Sequence, residues 1–232
     1  MLDAVSALPT VEAKRQRRAG RPKVPLLSRQ RILETALRLL DDRGETGAGM
    51  RDVARELGVQ PSALYNHVAG REDLTAGIRE LVSDRIDVAC FASLIWDLAL
   101  LQWARSYRDA FAAHPPTIAL LATTPLAVNS RTSVMYDTVV NALVRGGWPR
   151  HRALSVVVAV ESFVLGSALD AAADPKMLDP GSRDDVPDFT DAYAARGRTL
   201  AETGVSPADD AYNIGITALI AGLRAELEAS GR

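Results

Sequence analysis

The chain lacks most of the features by which enzymes, metalloproteins and secreted proteins announce themselves. One cysteine, Cys90, occurs among 232 residues. It cannot form an internal disulfide, a cysteine-rich metal site is excluded, and a reducing, cytoplasmic setting is expected. The three histidines, His67, His114 and His151, are too scattered to form a ligand cluster, so neither metal nor cofactor is expected. There is no Gly-x-Ser-x-Gly elbow, phosphate loop, His-Glu-x-x-His or Gly-x-Gly-x-x-Gly. The glycine-rich GETGAG, Gly44–Gly49, has no strand before it. Catalysis therefore has no motif to rest on. No apolar run near the N-terminus is long enough for a signal peptide. No stretch of about 18 apolar residues is free of charge, so no membrane span is expected.

What the chain does have is apolar bulk and an uneven charge. Apolar residues make up 47%, enough to bury a large core in one domain, or in two small ones sharing it. The net charge is −2, yet residues 1–79 carry 14 Lys and Arg against 10 Asp and Glu, while residues 80–232 carry 13 against 19. Lys14 to Arg31 contains eight basic residues and no acid. A basic end on an acidic chain points to a polyanionic partner; the alternative is a solvated tail. With Pro9, Gly20, Pro22 and Pro25, residues 1–27 can bury little and are expected to stay disordered until bound. In KRQRRAGRPK, the Gly-Arg-Pro core could lie extended in a narrow minor groove, where arginine is attracted. Arg17, Arg18, Arg21 and Lys23 are its candidate DNA contacts, mostly to the backbone.

From Ser28 onward the periodicity is helical, with no strand alternation. Ile32, Leu33, Ala36, Leu39 and Leu40 recur at three and four residues, with Ser28 as cap and Gly44 as stop. Val53, Ala54 and Leu57 share a face in Met50–Leu57. Pro61 suits the first turn of a third helix, expected to reach about His67. Glu72 and Asp73 open a fourth. Further helices are expected over 94–113, 117–123, 126–146, 150–172, 188–202 and 207–229. Residues 174–188, rich in proline and acid, read as a mobile loop. The fold class is all-α.

Two short helices joined by Gly58-Val59-Gln60 have helix-turn-helix spacing. Gly58 fits the position after the helix, where a positive φ is needed. Val59 can fill the angle between the helices with Val53, Leu57 and Leu64. Gln60, Ser62, Ala63, Tyr65, Asn66 and His67 are left around the exposed side, with Pro61 in its first turn. Such a helix fits the major groove of double-stranded DNA and presents its N-terminal residues to base edges. Asn and Gln can pair with adenine, and Tyr and Ser can reach phosphates. The alternative is an ordinary helical corner.

The surrounding residues, SRQRILETALRLLDDRG and MRDVARELGVQPSALYNHVAGREDLTAGI, resemble the TetR family of bacterial transcription regulators. Ala54, Leu57, Gly58, Val59, Leu64, Tyr65, His67, Arg71 and Leu74 carry the match. The resemblance implies that Arg51 reaches a base or phosphate. It places Gln60, Ser62, Ala63 and Asn66 at bases, and Tyr65, His67 and Arg71 at phosphates. It thus implies a three-helix DNA-binding domain over 28–75 and an effector-binding and dimerisation domain over 76–232. Where the family has Ser or Thr capping the second helix, this chain has Ala48-Gly49, a weaker cap.

In the larger half, ALSVVVAVESFVLGSALDAAA is apolar on every side between Ala153 and Val160, as a helix buried all round would be. The last helix puts Ile216, Leu219, Ile220, Leu223 and Leu227 on one face. Helices 150–172 and 207–229 are therefore expected to form a four-helix homodimer interface, which the resemblance also implies. A two-fold protein would read a palindromic operator. The motifs Tyr-Arg-x-x-Phe-x-x-His-Pro, Leu-Leu-Ala-Thr-Thr-Pro-Leu and SFVLGSALD resemble the tetracycline-repressor branch. There a small molecule enters each core and moves the fourth helix, releasing the DNA. Aligned on Thr-x-Pro, that branch's metal-binding histidine falls on Leu120, which cannot ligate, and its pocket acid falls near Asp170. A more apolar effector is expected, lined by Trp103, Tyr107, Phe111, Leu120, Leu121, Met135, Val139 and Phe163. His114 is a candidate donor, and His151 is expected on the surface. The expected function is a regulator, more specifically a repressor. The rivals are an architectural DNA-binding dimer without a ligand, and an all-α enzyme.

Overall fold

The computed structural model describes residues 27–230, so the candidate arm contacts Arg17, Arg18, Arg21 and Lys23 lie outside the described residues. Within these limits the chain forms ten α-helices and two 3-10 turns, with no strand among the described residues. The helices are α1 (Arg29–Arg43), α2 (Met50–Leu57), α3 (Pro61–Leu64), α4 (Arg71–Ser83), α5 (Trp96–Ala112), α6 (Pro116–Ala122), α7 (Arg131–Arg145), α8 (Arg150–Ala171), α9 (Pro187–Thr203) and α10 (Pro207–Ser230).

Helix ends follow local chemistry. Ser28 Oγ accepts the Arg31 amide at 3.2 Å and starts α1, while Gly44, at φ 68°, closes it with its amide on the Leu40 carbonyl. At the end of α2, Gly58 sits at φ 67°, ψ 32°. Its amide reaches the Arg55 carbonyl, and the Val59 amide reaches that of Ala54 at 3.0 Å. This paired closure satisfies two orphan carbonyls and turns the chain toward α3. No side chain caps α2, whose N-cap is Gly49.

Two elements are shorter than their periodicity predicts. Helix α3 was expected to reach about His67 but ends at Leu64, whose carbonyl takes the amides of both His67 (2.8 Å) and Val68 (3.0 Å). The chain closes there as a turn that drops Val68 into the core. Helix α7 was expected from 126 but begins at Arg131. Asn129 at φ 63° interrupts the helical path, and Ser130 caps α7 by accepting the Thr132 amide. A 3-10 turn over Ala89–Ala92 had no counterpart in the expected elements.

Helix α1 packs on α2 and α4, and α2 packs on α3. The larger half is organised around α8, which packs against α5, α7 and α10. Two ion pairs tie α10 to α5: Asp209 to the buried Arg108 at 2.6 Å and Arg224 to Asp97 at 2.5 Å. Helix α4 joins the halves. Leu74, Ile78 and Val82 are at most 2% exposed, and α4 packs on α1 behind it and on α5, α6 and α7 ahead. The expected domain boundary at 75/76 thus falls inside one continuous helix.

Helix α8 is long and apolar enough to cross a membrane by length and composition. In this chain it is the core helix, with Val156, Val157, Val160 and Val164 buried and Leu154, Val158 and Leu169 about half exposed. On α10, Ile214 is also exposed. A groove of about 330 Å³ between α8 and α10 includes the small residues Ser155, Ala159, Ala218 and Gly222 in its lining. Gly215 lies directly beneath the Phe163 ring, where a side chain would collide with it.

Substituting Gly58→Val should destabilise the chain by about 1–2 kcal/mol in urea denaturation, because a β-branched residue is disfavoured in the left-handed region. Gly58→Asn should cost less, since Asn tolerates that region. Equal stability of Gly58→Val and the parent would show that the corner does not depend on this conformation.

Candidate nucleic-acid interface and effector cavity

The corner between α2 and α3 leaves a distinct set of side chains in solvent. Leu64 is fully buried and anchors α3, with Val59 packed against the same core. Arg51, Gln60, Ser62, Asn66 and Arg71 are exposed, while Pro61, Ala63 and His67 are partly buried. Tyr65 is 57% exposed although it is a large aromatic residue. Burial cannot explain its position; contact with another molecule can.

This corner is held from behind by Arg29. Its guanidinium grips both Asp73 oxygens, at 2.7 and 2.8 Å, and also the His67 carbonyl at 3.0 Å. Asp73 in turn accepts the Ala69 amide at 2.8 Å. The start of α1, the end of the reading turn and the start of α4 are therefore one unit. The Arg29 hydrogen bonds hold the Asp73 carboxyl below its usual range. The fork geometry suits arginine and would be lost with lysine.

The second site is a cavity of about 550 Å³ between α4, α5, α6, α7 and α8. Phe111, Ile118, Leu121, Leu126, Leu154, Val158 and Leu165 supply its apolar wall. Its polar part contains Arg79, Tyr107, Tyr136 and Glu161. The Tyr107 hydroxyl donates to Glu161 Oε1, and the Tyr136 hydroxyl donates to the same oxygen at 2.5 Å. Burial, and then the Glu161 charge, push both phenols well above their ordinary range, so both remain donors. The Tyr107 and Phe111 rings stack at 5.0 Å and 11°.

Consecutive residues of α4 grip the cavity wall. Arg79 Nη2 donates to the carbonyls of Leu121 and Thr124, at 2.6 and 2.5 Å, at the carbonyl end of α6. Glu80 receives the amino end of α7: the Ser130 hydroxyl at 2.5 Å, the Arg131 amide at 3.0 Å and the Thr132 hydroxyl at 3.1 Å. A cation at a helix C-terminus and an anion at a helix N-terminus each complement the helix dipole. Burial raises the Glu80 carboxyl, but the bonds from Ser130, Thr132 and Arg131 outweigh it and leave it below the usual range.

Of the effector candidates, Tyr107, Phe111 and Leu121 line the cavity. Trp103, Met135 and Val139 lie in the core behind it. Leu120 is turned away by the helical pitch of α6 and faces Leu40, Leu74 and Ile78. Phe163 is on the opposite side of α8 from Glu161 and stacks on Tyr212 at 5.9 Å. Asp170 is exposed at the end of α8. His114 stands outside the cavity, between Asp41 (Nδ1, 2.7 Å) and Arg85 (Nε2, 2.8 Å). Since arginine only donates, Nε2 accepts and Nδ1–H donates to Asp41, which is the neutral ring. His151 is exposed. The polar part of the cavity, Arg79, Tyr136 and Glu161, was not among the candidates. Glu161 did leave a signal: it is the single acid in an otherwise apolar stretch of α8, and an acid there needs partners.

The profile of bacterial regulatory proteins of the tetR family matches residues 32–78, and that of the tetracyclin repressor-like C-terminal domain matches residues 95–227. The chain belongs to the TetR family. It is 27% identical over 206 residues to an HTH-type transcriptional regulator of Saccharopolyspora erythraea, covering 87% of this chain and 86% of that one. It is 26% identical over 206 residues to the class E tetracycline repressor of Escherichia coli, covering 87% and 93%. Among solved structures, ActR of Streptomyces coelicolor without ligand superposes with a TM-score of 0.67 at 25% identity, covering 89% of this chain and 99% of that one. ActR has also been solved in complex with actinorhodin. This TetR family regulator thus shares its helix-turn-helix and its larger domain with transcriptional regulators along most of its length.

Tyr65→Ala should weaken DNA binding about tenfold or more, the loss of one or two well-placed contacts, while leaving the thermal midpoint and subunit association unchanged. Normal DNA binding by that variant would remove α3 from the interface. Glu80→Gln should cost about 1.5–3 kcal/mol, the range for hydrogen bonds to a charged group. Because the folded-state carboxyl is lowered, its contribution is present above the unfolded value of about 4.3 and is lost as pH falls below it. The variant should accordingly show a shallower loss of stability on the acid side, and an unchanged acid limb would contradict the Glu80 assignment.

Proposed function

We propose that this TetR family regulator is a repressor that binds an inverted-repeat operator as a homodimer and leaves it when a small effector enters the cavity. The observation that carries this reading is that the cavity wall and the reading corner share α4. Arg79 and Glu80 face the cavity end of that helix, and Asp73 anchors the corner at the other. Anything that alters the separation of α6 and α7 acts on the helix to which Asp73 ties the turn after α3. Subunit pairing through α8 and α10 would cover Ile214 and Leu169, which a single chain leaves exposed. It would also set two reading corners about one turn of DNA apart, or slightly more.

The effector in this reading has a largely apolar body, since aliphatic and aromatic side chains dominate the wall. ActR, which has been solved in complex with actinorhodin, supports a small molecule as the occupant. The DNA contacts are Arg51, Gln60, Ser62, Ala63, Tyr65, Asn66, His67 and Arg71. Arg17, Arg18, Arg21 and Lys23 add affinity through the phosphate backbone, in a cytoplasmic protein.

The DNA flanking the protein's own gene is the natural probe. A gel-shift titration at two salt concentrations should show binding that survives an excess of random competitor. Binding that random DNA removes equally, and that falls steeply with salt, would instead mark an architectural DNA-binding dimer.

A further inference from the structure

We propose that the effector carries a protonated amine, or an equivalent strong hydrogen-bond donor, on its apolar body, and that Glu161 is the residue that receives it. This rests on the reading of the cavity as the effector site and names the chemistry of that site.

The cavity contains one acid and one base, and the two are neutralised unequally. Arg79 is 8% exposed and spends its guanidinium on two carbonyls at the negative end of α6. Its charge is therefore met by the helix dipole and by direct hydrogen bonds. Glu161 is met only by two neutral phenols, and both bond Oε1. Glu161 Oε2 accepts no hydrogen bond from the described residues, while the side chain lines the cavity. Two donors converging on one oxygen suit a carboxylate anion, and they hold its second oxygen at a fixed angle to the cavity. A carboxylate in a largely apolar cavity, with one oxygen left open, is completed by a cation or a donor that enters with the ligand. A neutral apolar ligand would bury that oxygen unpaired, and an anionic ligand would add repulsion to the loss. Tyr107 and Phe111, whose rings stack on one another, belong to the wall of the same cavity.

The requirement can be read with three probes that share one tricyclic ring: 9-aminoacridine, a cation at neutral pH; acridine, neutral there; and acridine-9-carboxylate, an anion. Each is titrated by its own fluorescence against the full-length protein without DNA. The amine should bind about tenfold or more tightly than acridine, the worth of one charge-assisted hydrogen bond, and the carboxylate should bind weakest. In Glu161→Gln, which keeps an acceptor for the two phenols, amine and acridine should bind alike. Ser162→Trp, which places an indole in the cavity, should weaken all three. Equal binding of the three probes in the parent, a preference for the carboxylate, or no binding by any would overturn the inference about charge. So would an amine preference that persists in Glu161→Gln. Those outcomes leave the cavity as the effector site if Ser162→Trp still blocks whichever probe binds. Unchanged binding in Ser162→Trp would overturn both, because the probes would then occupy another place.

Discussion

Two adjacent side chains on α4 carry the connection on which the rest of the structure depends. Neighbouring positions on a helix point about 100° apart, so Arg79 and Glu80 reach different helices from one turn. Arg79 takes the carbonyl end of α6 and Glu80 the amide end of α7. Both are electrostatic contacts to groups at a helix end: Arg79 to main-chain carbonyls, and Glu80 to the Arg131 amide and to the Ser130 and Thr132 hydroxyls. The two walls of the cavity are thereby fastened to a helix whose other end holds Asp73, the Arg29 fork and the end of the reading turn. Coupling between distant sites requires a physical element that both can bias, and α4 is such an element. The burial of Leu74, Ile78 and Val82 seats it in the core. The polar contacts decide which neighbours it moves with.

The same logic explains why the cavity is polar in one place. An all-aliphatic cavity would bind apolar bodies with little regard for orientation. Glu161 on α8, with Tyr107 on α5 and Tyr136 on α7, gives the site a direction. In the proposed reading an occupant held there would lie beside the segment between α6 and α7, where Thr124 and Leu126 line the cavity and which α4 grips. The neutral His114 bridge between Asp41 and Arg85 is a further link between α1 and the end of α4. It supports the joint from outside the cavity.

Much of this fold is legible in the sequence, and the reasons differ by element. The α2–α3 corner can be read because its requirements are local: a left-handed glycine, a proline in the first turn, and apolar residues at fixed spacing. The length of α3 cannot, because its last turn is decided by Val68 reaching the core. The start of α7 is placed too early by periodicity because Asn129 and Ser130 break a helical period that otherwise continues. In the larger half, periodicity shows which residues are apolar but not which way they face. Leu120 and Leu121 are adjacent, yet one meets the DNA-binding half and the other the cavity. Trp103 and Phe163 are equally plausible on composition and lie in the core and against α10. Glu161 is visible as an acid in an apolar helix, but its partners Tyr107 and Tyr136 come from two other helices and cannot be named from spacing.

The central claim is that α4 transmits the state of the cavity to the two reading corners. It is tested most directly by the distance between those corners in solution. A spin label at Ser62→Cys in a Cys90→Ala background places one probe on each reading helix of the dimer, and pulsed dipolar spectroscopy then gives the distribution of their separation. Removing the α6 grip with Arg79→Met should shift or broaden that distribution relative to the parent. Superposable distributions in the two proteins would contradict the claim, since the reading corners would then be indifferent to the contact that joins them to the cavity.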